Sequence, residues 1–402
     1  MQKPVIQKME GRQSVAPAHV PALDGVRGVA ILLVILYHFA SSMQVLGIKS
    51  PLLVPFAFGW CGVDVFFALS GFLITGILLD TKASANYFRA FYARRVLRIF
   101  PLYYGALALM IVLRASFPDA GIWGSYADLG APGSYLWPAL FLQNLAISFR
   151  GTDASGVLAH YWSLAVEEHF YLLWPLLVWL LSRRWTAILA MLAFAGSVAA
   201  RALALHRGMD TDYVFGLTPL RMDGLAIGAL AAILIRSHDA RRLSRLAALA
   251  LTGTVTVLCI LFWMRGTADQ SDPAIWIAGY PLVSAATAAA LVWCCAGGRF
   301  ARLLSARPLR WFGKYSYGLY VWHPIVGMLL LHSRLSLVPP GAGPGLVIVI
   351  ILFVFVLDLL VAWVSYQLWE KRFLKLKRHF PAQGQPGEME WKMPSLLPAP
   401  GP

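Results

Sequence analysis

Apolar runs close to twenty residues long alternate along this chain with short polar stretches that hold most of its charge. A helix needs about 20 residues to cross a hydrocarbon layer roughly 30 Å thick. Ten runs reach that length, near 26–46, 59–79, 99–115, 160–181, 185–205, 216–235, 246–264, 275–296, 315–333 and 345–368. An eleventh, Ser134 to Phe149, is shorter and carries Pro138, Gln143 and Asn144. The pattern predicts an all-α integral membrane protein, a bundle of about ten transmembrane helices. It shows no internal repeat and no soluble domain of any size.

Composition agrees. Of the 402 residues 59% are hydrophobic and only 13% charged, about half the charge that a soluble domain spends on its surface. The net charge of +15 raises nucleic acid as a partner, but the cations sit in clusters between apolar runs, such as Arg236 to Arg245 and Lys371 to Arg378. Loops facing an anionic leaflet look like this, whereas nucleic-acid binding needs a basic face on a soluble module. With ten spans and a cytoplasmic N-terminus, 25 Lys and Arg fall on the inner side and 7 on the outer. An eleventh span would reverse everything after it, so 116–158 reads as an external loop whose 134–149 part lies at the interface or re-enters. Both termini are then cytoplasmic. Residues 1–21 form an N-terminal segment, 22–370 the membrane domain, and 371–402 a tail that is basic and then disordered. There is no cleavable signal-peptide pattern. The four cysteines lack ligand spacing with histidine, so no metal is expected, and they read as small packing residues.

Ionisable groups inside a span are costly, so each is a candidate for function. Arg27 and His38 stand eleven residues apart in LDGVRGVAILLVILYHF. At 100° per residue that is three turns plus about 20°, which puts both on one helix face roughly 16 Å apart. A snorkelling Arg27 capped by Asp24, with His38 at the far interface, is the structural alternative. Asp64 in WCGVDVFFALSGFLITG and Glu167 or Glu168 in HYWSLAVEEHFYLLWP enter from the same end as His38. A carboxylate behind a histidine makes a general base, by fixing the tautomer and stabilising the imidazolium. Adjacent residues point about 100° apart, so at most one of the two glutamates is expected to face that centre. Arg94, Arg95 and Arg98 form a cluster that suits either membrane anchoring or phosphate binding. Arg221, Asp223 and His323 either line a cavity or form a structural ion pair and a satisfied histidine.

Taken together, LDGVRGVAILLVILYHF, GVDVFFALSGFLIT, RRVLRIFPLYY, HYWSLAVEEHFYLLWP and SYGLYVWHP resemble the acyltransferase 3 family of membrane O-acyltransferases, in family order across residues 22 to 325. The resemblance implies a bundle of about ten helices in a bacterial cytoplasmic membrane. It implies acyl-CoA, with acetyl the commonest acyl group, as donor substrate and a sugar or glycan hydroxyl as acceptor, with no tightly bound cofactor. The family's Arg–(ten residues)–His pattern falls on Arg27 and His38, its Arg-x-x-Arg pattern on Arg95 and Arg98, and its glutamate on Glu167. Arg95, Arg98 and Arg27 would then hold the donor's phosphates. His38 would deprotonate the acceptor, with Glu167 or Asp64 orienting the imidazole. A transporter of glycans or metabolites is the rival class. Oligomeric state has no signal.

Overall fold

The computed structural model describes residues 20–48, 53–117, 135–150, 158–211, 215–238, 240–332, 336–339 and 341–381. The described residues are helices and their connections, with no strand among them. Ten long helices follow one another: α1 Pro21–Val45, α2 Cys61–Thr81, α3 Tyr87–Ser116, α4 Trp162–Leu180, α5 Arg183–His206, α6 Thr218–Ile235, α7 Ala240–Arg265, α8 Tyr280–Cys295, α9 Arg307–Gly327 and α10 Pro344–Ser365. Proline opens α1, where a helix needs no N–H, and Asp24 in the first turn meets the positive end of the helix dipole.

Among the described residues, eight segments are long and apolar enough to cross a membrane. Of the ten expected spans, α4 and α9 are not among them, although they run to 19 and 21 residues. α4 spends positions on Glu167, Glu168 and His169, and α9 on Arg310, Lys314 and His323. The segment 134–149 does not form a spanning helix. Its described part breaks into Leu136–Ala139 and Gln143–Arg150, too short to cross. Irregular backbone at membrane depth must be satisfied by protein. Here Gln143 Nε2 donates to the Tyr161 carbonyl (2.6 Å), and Asn144 Nδ2 donates to the carbonyl of Gly216 and to Thr218 Oγ1. The N-terminal segment to residue 19, most of the expected external loop and the tail beyond residue 381 lie outside the described residues.

Helix packing inside lipid gains little from the hydrophobic effect, so small residues that admit backbone contact carry it. A Cβ on Gly28 would overlap the Leu309 carbonyl and one on Gly313 the Asp24 carbonyl, which joins α1 to α9 backbone to backbone. Gly71 against the Leu225 carbonyl and Gly228 against the Ala68 carbonyl do the same for α2 and α6. α2, α6 and α8 form the interior, with 61 to 67% of their apolar windows buried, while the windows of α5 and α7 are 22 and 11% buried. All four cysteines are free, Cys61, Cys294 and Cys295 buried and Cys259 exposed on α7.

Two ion pairs lock the interior. Arg221 of α6 donates to Asp64 of α2 at 2.7 Å, and Arg201 of α5 to Asp223 of α6 at 2.7 Å. The Arg221 guanidinium also lies 4.1 Å over the Tyr280 ring of α8. Arg221 and Asp223 are neighbours in sequence, yet each takes its partner from another helix. Arg201, one of the seven charges that the ten-span topology assigns to the outer side, is fully buried. A third pair, Arg236 with Asp80 (2.6 Å), closes the other end of α2 and α6. Outside the spans, Asp272 accepts from Arg265 (2.8 Å), and that bond holds its carboxyl below the usual carboxylate range.

Removing one member of a buried pair leaves an uncompensated charge, which costs about 3–5 kcal/mol, while replacing both by apolar residues is often neutral. We expect Asp64→Leu to lower the melting temperature in detergent sharply, and the Asp64→Leu/Arg221→Met double variant to recover most of the loss. A double variant no better than the single one would show that the pair does not couple the helices.

Candidate active site

A cavity of about 710 Å³, including its open mouth, lies among α1, α2, α3, α4 and α9. Arg27 of α1 and Arg95 and Arg98 of α3 reach it from one side, Glu167 and Tyr171 of α4 and Ser70 of α2 from another. Glu167 accepts from Ser70 Oγ (2.9 Å) and from the Tyr171 hydroxyl (2.9 Å). The Arg95 guanidinium lies 5.3 Å over the Tyr171 ring. Arg27 pairs with Asp24 at 3.2 Å, a part-buried contact within one helix, whereas Arg95 and Arg98 form no ion pair among the described residues. Three guanidiniums so placed, with Glu167 as the one carboxylate in the wall, make the cavity positive and suited to a polyanion. Glu168 does not line it.

A further cation comes from the far end of the chain. After α10 the helix runs on without a break to His379, and this extension forms a strap packed along the start of α3. Arg94 donates to the carbonyls of Lys377 (3.4 Å) and Phe380 (3.2 Å), Trp369 Nε1 to the Pro101 carbonyl (2.9 Å), and Arg89 sits 5.7 Å over the Phe380 ring. This strap brings Lys377 within electrostatic reach of Arg27, Arg94, Arg95 and Arg98. In the sequence Lys377 is one more positive-inside charge, with nothing to connect it to residues about 280 positions earlier.

His38 lies beyond the cavity's far wall. Tyr320 of α9 lines the cavity, and its hydroxyl bonds Ser163 Oγ (2.5 Å) and the His160 carbonyl (2.8 Å). Behind it stand three imidazoles: the His38 ring is 5.0 Å from His323, and His160 lies 6.0 Å from His323 and 5.5 Å from Tyr320. His38 Nδ1 lies 2.8 Å from the Val34 carbonyl. A carbonyl only accepts, so Nδ1 carries the hydrogen and Nε2 of the neutral ring is the basic atom.

Of the expected site residues, the structure brings Arg27, Arg95, Arg98 and Glu167 together in one cavity and places His38 on its far side. The expected contact of His38 with a carboxylate is not formed. Asp64 is committed to Arg221, a guanidinium that no water can solvate, and Glu167 to Ser70 and Tyr171. The orienting partner of His38 is the carbonyl one turn back on its own helix, which any residue at position 34 would supply. His323, one of the open alternatives above, stands with its ring 5.0 Å from that of His38.

Over residues 20–366 the chain matches the family described as acyltransferase domain. It belongs to the acyltransferase 3 family. Among the curated relatives of this family, YrhL of Bacillus subtilis is 32% identical over 327 residues, 77% of this chain and 49% of its own length. The peptidoglycan O-acetyltransferase OatA of Listeria monocytogenes is 29% identical over 326 residues, 77% of this chain and 49% of its own. The O-acetyltransferase OatA of Staphylococcus aureus is 29% identical over 334 residues, covering 77% and 51%. The chain thus spans about half the length of these relatives. No solved structure matches it. As an acyltransferase-family chain with eight membrane-spanning candidates, it is a multi-pass membrane protein.

A polyanion bound at 100 times its dissociation constant stabilises a protein by about 2.7 kcal/mol. Inorganic pyrophosphate is expected to raise the melting temperature of the wild type but not of the Arg95→Gln/Arg98→Gln variant. Equal shifts in both proteins would place anion binding elsewhere.

Proposed function

We propose that this chain is a membrane O-acyltransferase that moves an acetyl group from acetyl-CoA to a hydroxyl of an extracytoplasmic glycan. The observation that carries the reading is the layout along α1. Arg27 stands in a positive cavity at one end, and His38, with its Nδ1–H fixed and its Nε2 left basic, stands at the other. Arg95 and Arg98 hold the donor's phosphates, with Arg27 and Lys377 adding positive charge around them. The roughly 16 Å between Arg27 and His38 leaves room for the pantetheine arm. The relatives named as peptidoglycan O-acetyltransferases support the choice of acetyl and of a cell-wall-type glycan.

The chemistry balances without a cofactor. His38 Nε2 takes the proton of the acceptor hydroxyl, the oxygen attacks the thioester carbonyl, and the tetrahedral intermediate expels CoA thiolate. The imidazolium then protonates the thiolate, and the products are an O-acetyl ester and CoA-SH. Nδ1–H donated to the Val34 carbonyl keeps the ring in the required tautomer. Glu167 does not act on His38; it faces the arginines and orients them through its bonds to Ser70 and Tyr171. Asp64 serves the fold. In this reading all ten long helices cross, both termini are cytoplasmic, and residues 22–370 are the acyltransferase unit.

A positioned base contributes about 10²- to 10⁴-fold. His38→Ala is expected to lower both acetyl-CoA hydrolysis and transfer to glycan by at least a hundredfold in purified protein that still binds pyrophosphate. Unchanged turnover would remove His38 from the mechanism. Cysteine introduced at Ser237 should label with impermeant maleimide only in inverted vesicles, and at Gly266 only in intact cells. The reverse pattern would overturn the orientation.

A further inference from the structure

His323 repeats the arrangement of His38 on the opposing helix. Its Nδ1 lies 2.8 Å from the Leu319 carbonyl, again four residues back, so the hydrogen is on Nδ1 and Nε2 carries a lone pair. That Nε2 is buried with no hydrogen-bond partner among the described residues, in a residue only 2% exposed. A buried acceptor without a donor is unfavourable, and more so where no bulk water reaches. Its ring is 5.0 Å from that of His38, whose Nε2 is likewise without a partner among the described residues. Two lone pairs cannot bond one another. Each Nε2 is satisfied only when a donor reaches it, and the hydroxyl and amide hydrogens of a glycan are donors of that kind.

We propose that His323 Nε2 accepts a hydrogen bond from a second polar hydrogen of the acceptor glycan, a hydroxyl or an acetamido N–H, beside the hydroxyl that His38 deprotonates. His323 is thus an acceptor-binding residue and selects glycans that offer a second donor over simple alcohols. The inference rests on His38 being the base. It explains why α9 aims a histidine at His38 where a carboxylate would otherwise be expected. Hydrolysis of the donor takes a single water at His38 and needs no second hydrogen bond, so it does not need His323, whereas productive capture of the glycan does.

The test uses the purified full chain with labelled acetyl-CoA, and either no acceptor or solubilised cell-wall glycan. Losing one hydrogen bond to a substrate hydroxyl corresponds to about a tenfold change in affinity. His323→Leu is expected to raise KM for the glycan at least tenfold, with glycan-free hydrolysis of acetyl-CoA within about twofold of wild type and its pH profile unmoved. His323→Asn, whose side-chain oxygen restores an acceptor, is expected to recover most of the glycan affinity. A parallel loss of hydrolysis and transfer in folded His323→Leu, or a shifted pH profile at unchanged KM, would make His323 part of the proton chemistry and overturn the proposal. If the leucine variant does not fold, His323→Asn decides alone: KM within about threefold supports the proposal, and equal loss of both activities refutes it. His38→Ala separates the two layers. Hydrolysis surviving that change would sink the functional reading itself, whatever His323 does.

Discussion

Backbone contact between α1 and α9 is the constraint on which the site depends. Gly28 and Gly313 each sit against a carbonyl of the other helix, so a side chain at either would push the two apart. α1 supplies Arg27 and His38; α9 supplies Ser316, Tyr320 and His323. A separation of even one side-chain radius would open the Tyr320 partition and break the 5.0 Å contact between the two histidine rings. In a bilayer there is little hydrophobic drive to restore such a contact, so its closeness depends on the residues being small.

Charge is managed in two ways within one bundle. Away from the cavity, each buried arginine has a carboxylate on another helix: Arg221 with Asp64, Arg201 with Asp223. These pairs tie α2, α5 and α6 into a rigid block. At the cavity the balance is left incomplete, with Arg95 and Arg98 carrying no ion pair among the described residues and Lys377 brought near by the strap after α10. Unbalanced cations in a low-dielectric wall favour an anion from solution, and the rigid block keeps the wall from collapsing onto its own carboxylates.

Tyr320 stands between the cavity and the histidine cluster. On one side are the guanidiniums, on the other the imidazoles, and the tyrosine hydroxyl is tied to Ser163 and the His160 carbonyl between them. The proposed reaction requires the thioester to pass this ring. The polyanion is then recognised in the cavity and the acceptor hydroxyl at the histidines.

The hydrophobic period announced the all-α membrane architecture, because a bilayer dictates the length and composition of anything that crosses it. It also marked Arg27, His38, Arg95, Arg98 and Glu167, since an ionisable residue at membrane depth is conspicuous against apolar neighbours. The sequence could not say which charge meets which. Asp64 lies at the depth of His38 and reads equally well as its partner; only the packing of α2 on α6, set by Gly71 and Gly228, delivers it to Arg221 instead. Nor could it connect His323 or Lys377 to residues hundreds of positions away. α4 and α9 carry Glu167, Tyr320 and His323 of the site among other polar and charged positions, and together these mask their membrane character. Pattern along the chain reports what each helix needs from its surroundings, and tertiary structure decides which neighbour supplies it.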